Sequence, residues 1–159
     1  MTNEEERIYI EEEIYIPEIG TELLPCKMYI RMSVFSDEND FNPDELTQIL
    51  QIVPTATWHK GDMIRKNLYR KETSWVLKTP RIETFDFEEV FQMLMNILDG
   101  KAERLGKYAK KNNLFVKIFP IVVVSNGMPW ITITKEIAED LLLLNAKIEF
   151  DMYFAKGVF

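Results

Sequence analysis

The sequence predicts an α+β fold, a largely antiparallel sheet with about three helices packed on one face. Three observations carry that expectation. Apolar and polar residues alternate over residues 28–34 and 146–154, the period of a strand with one buried face. Three segments open with a helix N-terminal signature and continue with apolar residues at helical spacing. No glycine-rich nucleotide fingerprint of a parallel α/β fold occurs anywhere in the 159 residues.

With 47% hydrophobic and 12% aromatic residues, the chain has material for one sizeable core without covalent staples. Residues 1–25 read as an acidic N-terminal extension with an edge strand, and residues 26–159 as a single α+β domain. The lone cysteine, Cys26, excludes an intrachain disulfide and an intrachain thiolate cluster, and His59 is the one histidine. No cofactor and no metal site is therefore expected. The acidic start has no apolar run of signal-peptide or membrane-span length, so a cytoplasmic protein is expected.

The net charge of −7 argues against a nucleic-acid partner held by counterion release, and no membrane partner is expected. The charge is uneven. Residues 1–25 hold eight glutamates and one arginine, net −7; residues 59–81 hold seven lysines and arginines against Asp62 and Glu72, net +5. The basic segment suits a small anion or a protein with an acidic surface, and the acidic extension is its competitor within the same molecule.

In chain order, Ile8, Ile10, Ile14 and Ile16 alternate with Tyr9, Glu11, Glu13 and Tyr15, an edge strand protected by charge. Met28, Ile30, Met32 and Val34 line one face of the next strand. Asn42, Pro43 and Glu45 then start a helix whose buried face is Leu46, Ile49, Leu50 and Val53. A strand is expected over residues 71–78. Asp86 caps the second helix with Glu89 three residues on, and Asp99-Gly100 breaks it before a shorter basic helix over residues 102–111. Residues 114–124 read as a long strand with Pro120 at a bulge or edge. Asn126-Gly127 predicts a tight hairpin with its return arm at residues 130–133. Thr134 caps the last helix, containing Ile137, Leu141 and Leu144, and residues 146–154 form the last strand. Residues 29–77 and 130–154 both read strand, helix, strand, a weak hint of internal duplication with no repeated residue motif.

Residues 53–62, Val-Pro-Thr-Ala-Thr-Trp-His-Lys-Gly-Asp, cannot be explained by burial alone. Turn formers, hydroxyls, an aromatic, the histidine and a lysine within ten residues predict an ordered polar loop, the usual place for binding groups. The candidate ligand-binding residues are Thr55, Thr57, Trp58, His59, Lys60, Arg65, Arg70 and Trp75, with Trp58 and Trp75 expected to be buried near one another. The run Leu50-Gln51-Ile52-Val53-Pro54-Thr55, then Lys60-Gly61-Asp62 and Trp75, resembles a bacterial family known as domain of unknown function 4279. The resemblance spans about residues 27–155 and implies a fold and a bacterial source; it brings no catalytic residues. Gln51 stands where that pattern has glycine, so the helix end need not adopt the pattern's left-handed cap.

Chemistry is sparse. Cys26 and His59 are the only nucleophile and base of their kinds, with no third residue to orient them. Asp37, Asn39 and Asp40 lack the glycine and final glutamate of a calcium loop. The expected role is a non-catalytic protein-binding module, of the immunity or antitoxin kind; the alternative is a protein, enzyme or not, that binds a small ligand or anion through residues 55–70.

Overall fold

The computed structural model describes residues 22–155; the strand expected over residues 7–16 lies outside them. The elements are β1 (Cys26–Ser36), α1 (Pro43–Leu50), β2 (Ala56–Trp58), β3 (Met63–Arg65), β4 (Leu68–Tyr69), β5 (Thr73–Lys78), β6 (Ile82–Thr84), α2 (Phe87–Leu98), α3 (Ala102–Lys111), β7 (Phe115–Val124), α4 (Lys135–Leu143), β8 (Ala146–Ile148) and β9 (Asp151–Phe154). This is an α+β fold, with four described helices because the Asp99-Gly100 break separates α2 from α3.

β1 is the middle strand. One edge pairs antiparallel with β7 from Lys27 to Phe35, the other with β5 and then β6. Between those two strands Thr79 fills the edge alone: its N–H donates to the Ile30 carbonyl and its hydroxyl accepts from the Ile30 N–H. β2 adds antiparallel outside β5, whereas β8 and β9 add parallel to β7. The parallel pairing follows from α4, a helical crossover of the kind parallel neighbours need.

Pro120 explains why the last strand is split. Ile118 and Val124 direct their carbonyls toward the β8/β9 edge, where they accept from Glu149 and Ala155. Alternation puts Pro120 on that same edge, and proline has no N–H to offer there. The break between β8 and β9 falls opposite it, since Ile118 pairs with Ile148 and Ile121 with Asp151.

Side-chain alternation buries one face of the sheet. Cys26, Met28, Ile30, Met32 and Val34 are fully buried, and they join Val116, Ile118 and Val122 of β7 in a cluster to which all four helices contribute. The expected caps form: Asn42 accepts from Asp44 N–H, Asp86 from Glu88 N–H and Thr134 from Ile137 N–H. Glu89 does not close a capping box; its carboxylate accepts from the Thr84 hydroxyl at 2.7 Å.

Four expectations are corrected. Gln51 adopts the left-handed conformation itself, at φ 55°, with its N–H donating to Thr47 O and its side chain to Gln48 O. The helix therefore ends at Leu50, and the buried position passes from Val53, 84% exposed, to Ile52. No strand lies at residues 130–133, so the two strand-helix-strand segments are not equivalent. Asn126 spends its amide on Leu24 N–H and Glu22 O, Trp130 bonds the backbone of Phe85 and Phe87, and β8 and β9 occupy the edge a hairpin would have used. Gly127 serves close packing, because a Cβ there would stand 2.6 Å from the Phe85 ring. Finally, Trp58 and Trp75 lie on opposite faces: Trp58 pairs with Ser74, and Thr57 with Trp75.

Trp75 is wholly buried, and its Nε1–H donates to the Thr47 hydroxyl at 3.0 Å. Trp75→Ala should cost about 3–5 kcal/mol in a denaturant melt, and Trp58→Ala, at a half-buried site, about 1–2 kcal/mol. Equal losses would contradict the placement on opposite faces. A Cβ on Gly106 of α3 would stand 1.9 Å from the Leu143 carbonyl, so Gly106→Ala should cost about 1–3 kcal/mol through the displaced end of α4; an unchanged melt would refute that packing.

Candidate functional site

Between β2 and β5 the chain leaves the sheet and forms an arm, the separate two-stranded sheet of β3 and β4. Its base closes where Gly61 N–H donates to Arg70 O and Arg70 N–H to Asp62 O. Gly61, at φ +90°, supplies a turn that residues with a Cβ resist. Asn67 takes the left-handed position at the tip, φ 62°. Every residue from 59 to 69 is exposed, so packing does not hold this segment. Polar contacts at its base do.

His59 Nδ1 lies 2.9 Å from Asp40 Oδ1, and Thr73 donates its hydroxyl to the same oxygen at 2.9 Å. Lys60 donates its N–H to Thr73 Oγ1 and its ammonium to Asp37 O at 2.7 Å. Asp62 accepts from His59 N–H at 2.8 Å. The Arg70 guanidinium lies 3.9 Å from the Trp58 ring centre, a cation over an aromatic face. The base of the arm is thereby tied both to the β1–α1 connection and to β2.

Of the expected residues, the structure brings Trp58, His59, Lys60 and Arg70 together here. Arg65 stands farther out on β3. Thr55 and Trp75 do not join them: the Thr55 hydroxyl accepts from Lys78 N–H as a strand contact, and Trp75 belongs to the core. Thr57 is exposed on the face of the sheet opposite Trp58. Sequence reasoning weighed Asp37 and Asp40 only as a fragment of a calcium loop and did not name Thr73 at the start of β5, because nothing local says that these residues meet the segment around His59. Between the β1–α1 connection and the arm runs an open groove of about 660 Å³, lined in part by Asp37, Glu38, Lys60, Tyr69, Arg70 and Lys71. Its walls carry both signs of charge.

The site can grip a surface or hold a polar ligand, but it assembles no nucleophile. Cys26 opens β1 at the end of the sheet opposite His59, its thiol near Gly127 O, and burial pushes its pKa up. Among the described residues no group of three or more potential ligands could hold a metal ion, and no helix is long and apolar enough to cross a membrane.

The Asp40 contact raises the His59 pKa above 6.5, while His59 and then Thr73 lower that of Asp40. A raised histidine adds stability that is full below its unfolded pKa and is lost as the pH rises through the folded one. A lowered carboxylate adds stability present above its unfolded pKa and lost as the pH falls through the folded one. The tie therefore holds best at mildly acidic pH. With a single histidine, proton NMR gives an unambiguous titration: the midpoint should lie above 6.5 in the native chain and fall in Asp40→Asn. An unchanged midpoint would show that the pair does not form.

Comparison with curated proteins and with solved structures finds no match. The model of the family DUF4279, a domain of unknown function, matches residues 25–155. That span takes in every described strand and helix, including the arm and the β1–α1 connection that anchors it, and the chain belongs to the DUF4279 family.

Proposed function

We propose that this chain is a non-catalytic protein-binding module, acting in the cytoplasm, whose β3–β4 arm inserts against a partner with an acidic, partly apolar surface. One observation carries the reading: an exposed arm on which large apolar side chains alternate with cations. Met63, Ile64, Leu68 and Tyr69 are 67%, 46%, 39% and 53% exposed, and between Lys60 and Lys71 five lysines and arginines stand against Asp62. Aromatic residues, methionine and arginine are the side chains enriched where proteins meet, and exposed apolar groups on a small projection need a reason beyond folding. The fixed base supports the same reading, since a pre-ordered element loses less entropy on binding. An immunity- or antitoxin-like protein, which neutralises one partner by covering it, would use such an arm. The groove favours a second reading, a small anion held by Lys60, Arg70 and Lys71.

A photoreactive residue placed at Tyr69, or at Gln92 on the exposed side of α2 as a control, separates these readings in cells of the native host. The module reading expects one discrete protein adduct from position 69, weaker when Arg65 and Lys66 are both changed to glutamate, and none from position 92. Equal adducts from both positions, or none from either, would sink it. Phosphate or citrate saturating the Lys60 and Arg70 resonances in the absence of any protein partner would favour the anion reading.

A further inference from the structure

Both edges of the β3–β4 ribbon carry backbone groups that the fold leaves unused. Met63 and Tyr69 stand opposite one another, and the bond beside them runs from Arg70 N–H to Asp62 O. A pair flanked in this way is of the non-hydrogen-bonded kind, so the N–H and C=O of both residues point outward from the ribbon. Arg70, by contrast, spends both backbone groups inside the arm, its carbonyl accepting from Gly61 N–H. No other described residue bonds the outward groups of Tyr69 and Met63, and the two residues are 53% and 67% exposed.

The two edges differ in what lies beside them. The groove of about 660 Å³ is bordered by residues 67–71 and by Asp37, Glu38 and Lys60, and among the described residues none of β3 lines it. The free edge of β4 therefore gives onto a cleft whose far wall is the β1–α1 connection, tied back to the arm where the Lys60 ammonium donates to Asp37 O. Its volume falls in the range of about 300–1,000 Å³ that takes a drug-sized ligand, or a few residues of extended chain.

We propose that the groove takes an extended peptide segment, which adds to β4 as a third strand of the arm and pairs its backbone with the N–H and C=O of Tyr69. This rests on the reading of the arm as a protein-binding element and names its mode of recognition. An unpaired strand edge is a template for such pairing, and strand addition draws affinity from main-chain bonds and specificity from alternate side chains. Alternation along the ribbon sets those side chains. Met63 and Tyr69 share one face, so the residue paired with Tyr69 meets their side chains and is apolar. Leu68 and Arg70 share the other face, where the guanidinium lies over the Trp58 ring. The next residue of the segment falls there, and a carboxylate suits it. Lys71 at the end of the groove adds a second cation. A second copy of this chain is a poor occupant, because two arms edge to edge would set Arg70 and Lys71 against like charges.

Random heptapeptides displayed on phage and selected on the full chain supply the probe. The expected winners carry an apolar residue next to aspartate or glutamate, and the best of them, as a synthetic peptide, slows hydrogen exchange at the Tyr69 amide. Proline removes that N–H without breaking a bond inside the arm, so Tyr69→Pro should bind the peptide about tenfold more weakly than Tyr69→Val, which also lacks the ring but keeps the donor. Met63→Pro, the same change on the edge without a groove, should bind as the native chain does. Equal affinities of Tyr69→Pro and Tyr69→Val, an equal loss in Met63→Pro, or no enriched peptide would overturn strand addition. The photoreactive residue at position 69 keeps this failure distinct from that of the module reading. A discrete adduct without any enriched peptide means that the arm grips a folded surface by its side chains alone; neither adduct nor peptide removes both readings.

Discussion

β1 is hydrogen-bonded along both edges, by β7 on one side and by β5, Thr79 and β6 on the other, while its inner residues from Cys26 to Val34 have no exposure at all. Few substitutions along it can be absorbed, because each inner side chain meets helices and each backbone group meets a strand. The other elements follow from that constraint. α1 returns the chain so that β5 can lie on one edge, α2 and α3 carry it across the inner face to β7, and α4 brings it back for β8 and β9. The same constraint lets residues 59–71 leave the sheet without loss to the core.

Much of this is legible in the residues, and the failures have specific causes. Period-two alternation placed β1, a run of branched residues placed β7, and the caps Asn42, Asp86 and Thr134 marked three helix starts correctly, because these signals are local. Local signals also misled. Asn126-Gly127 has the chemistry of a tight turn, but the Asn126 amide found better partners in Glu22 and Leu24, and β8 and β9 took the edge. Gln51 in place of glycine was read as freeing the helix end from a left-handed cap, yet Gln51 takes that conformation itself at a strain of roughly 1–2 kcal/mol, with Ile52 buried behind it. At the candidate site, Trp58, His59, Lys60 and Arg70 were named from composition, whereas Asp40, which bonds His59, and Thr73, which bonds Asp40 and Lys60, are separated from His59 by 19 and 14 positions and carry no pattern that joins them.

The arm is the part of this family member that the core does not require. Its apolar residues stay exposed to solvent rather than joining the core, and it is held by His59, Lys60 and Arg70 at one end. An element of this kind is chemically suited to meeting another surface: ordered enough to present a shape and independent enough to vary without unfolding the sheet.

That independence is the central claim, and native-state hydrogen exchange measures it most directly. Amides of β1 between Met28 and Val34 should exchange only through global unfolding, their rates rising steeply with denaturant. Amides from Met63 to Tyr69 should exchange through local opening, orders of magnitude faster and with little denaturant dependence. If the arm amides shared the slope and protection of β1, the arm would be part of the cooperative fold, and the account of it as a separate presenting element would be wrong.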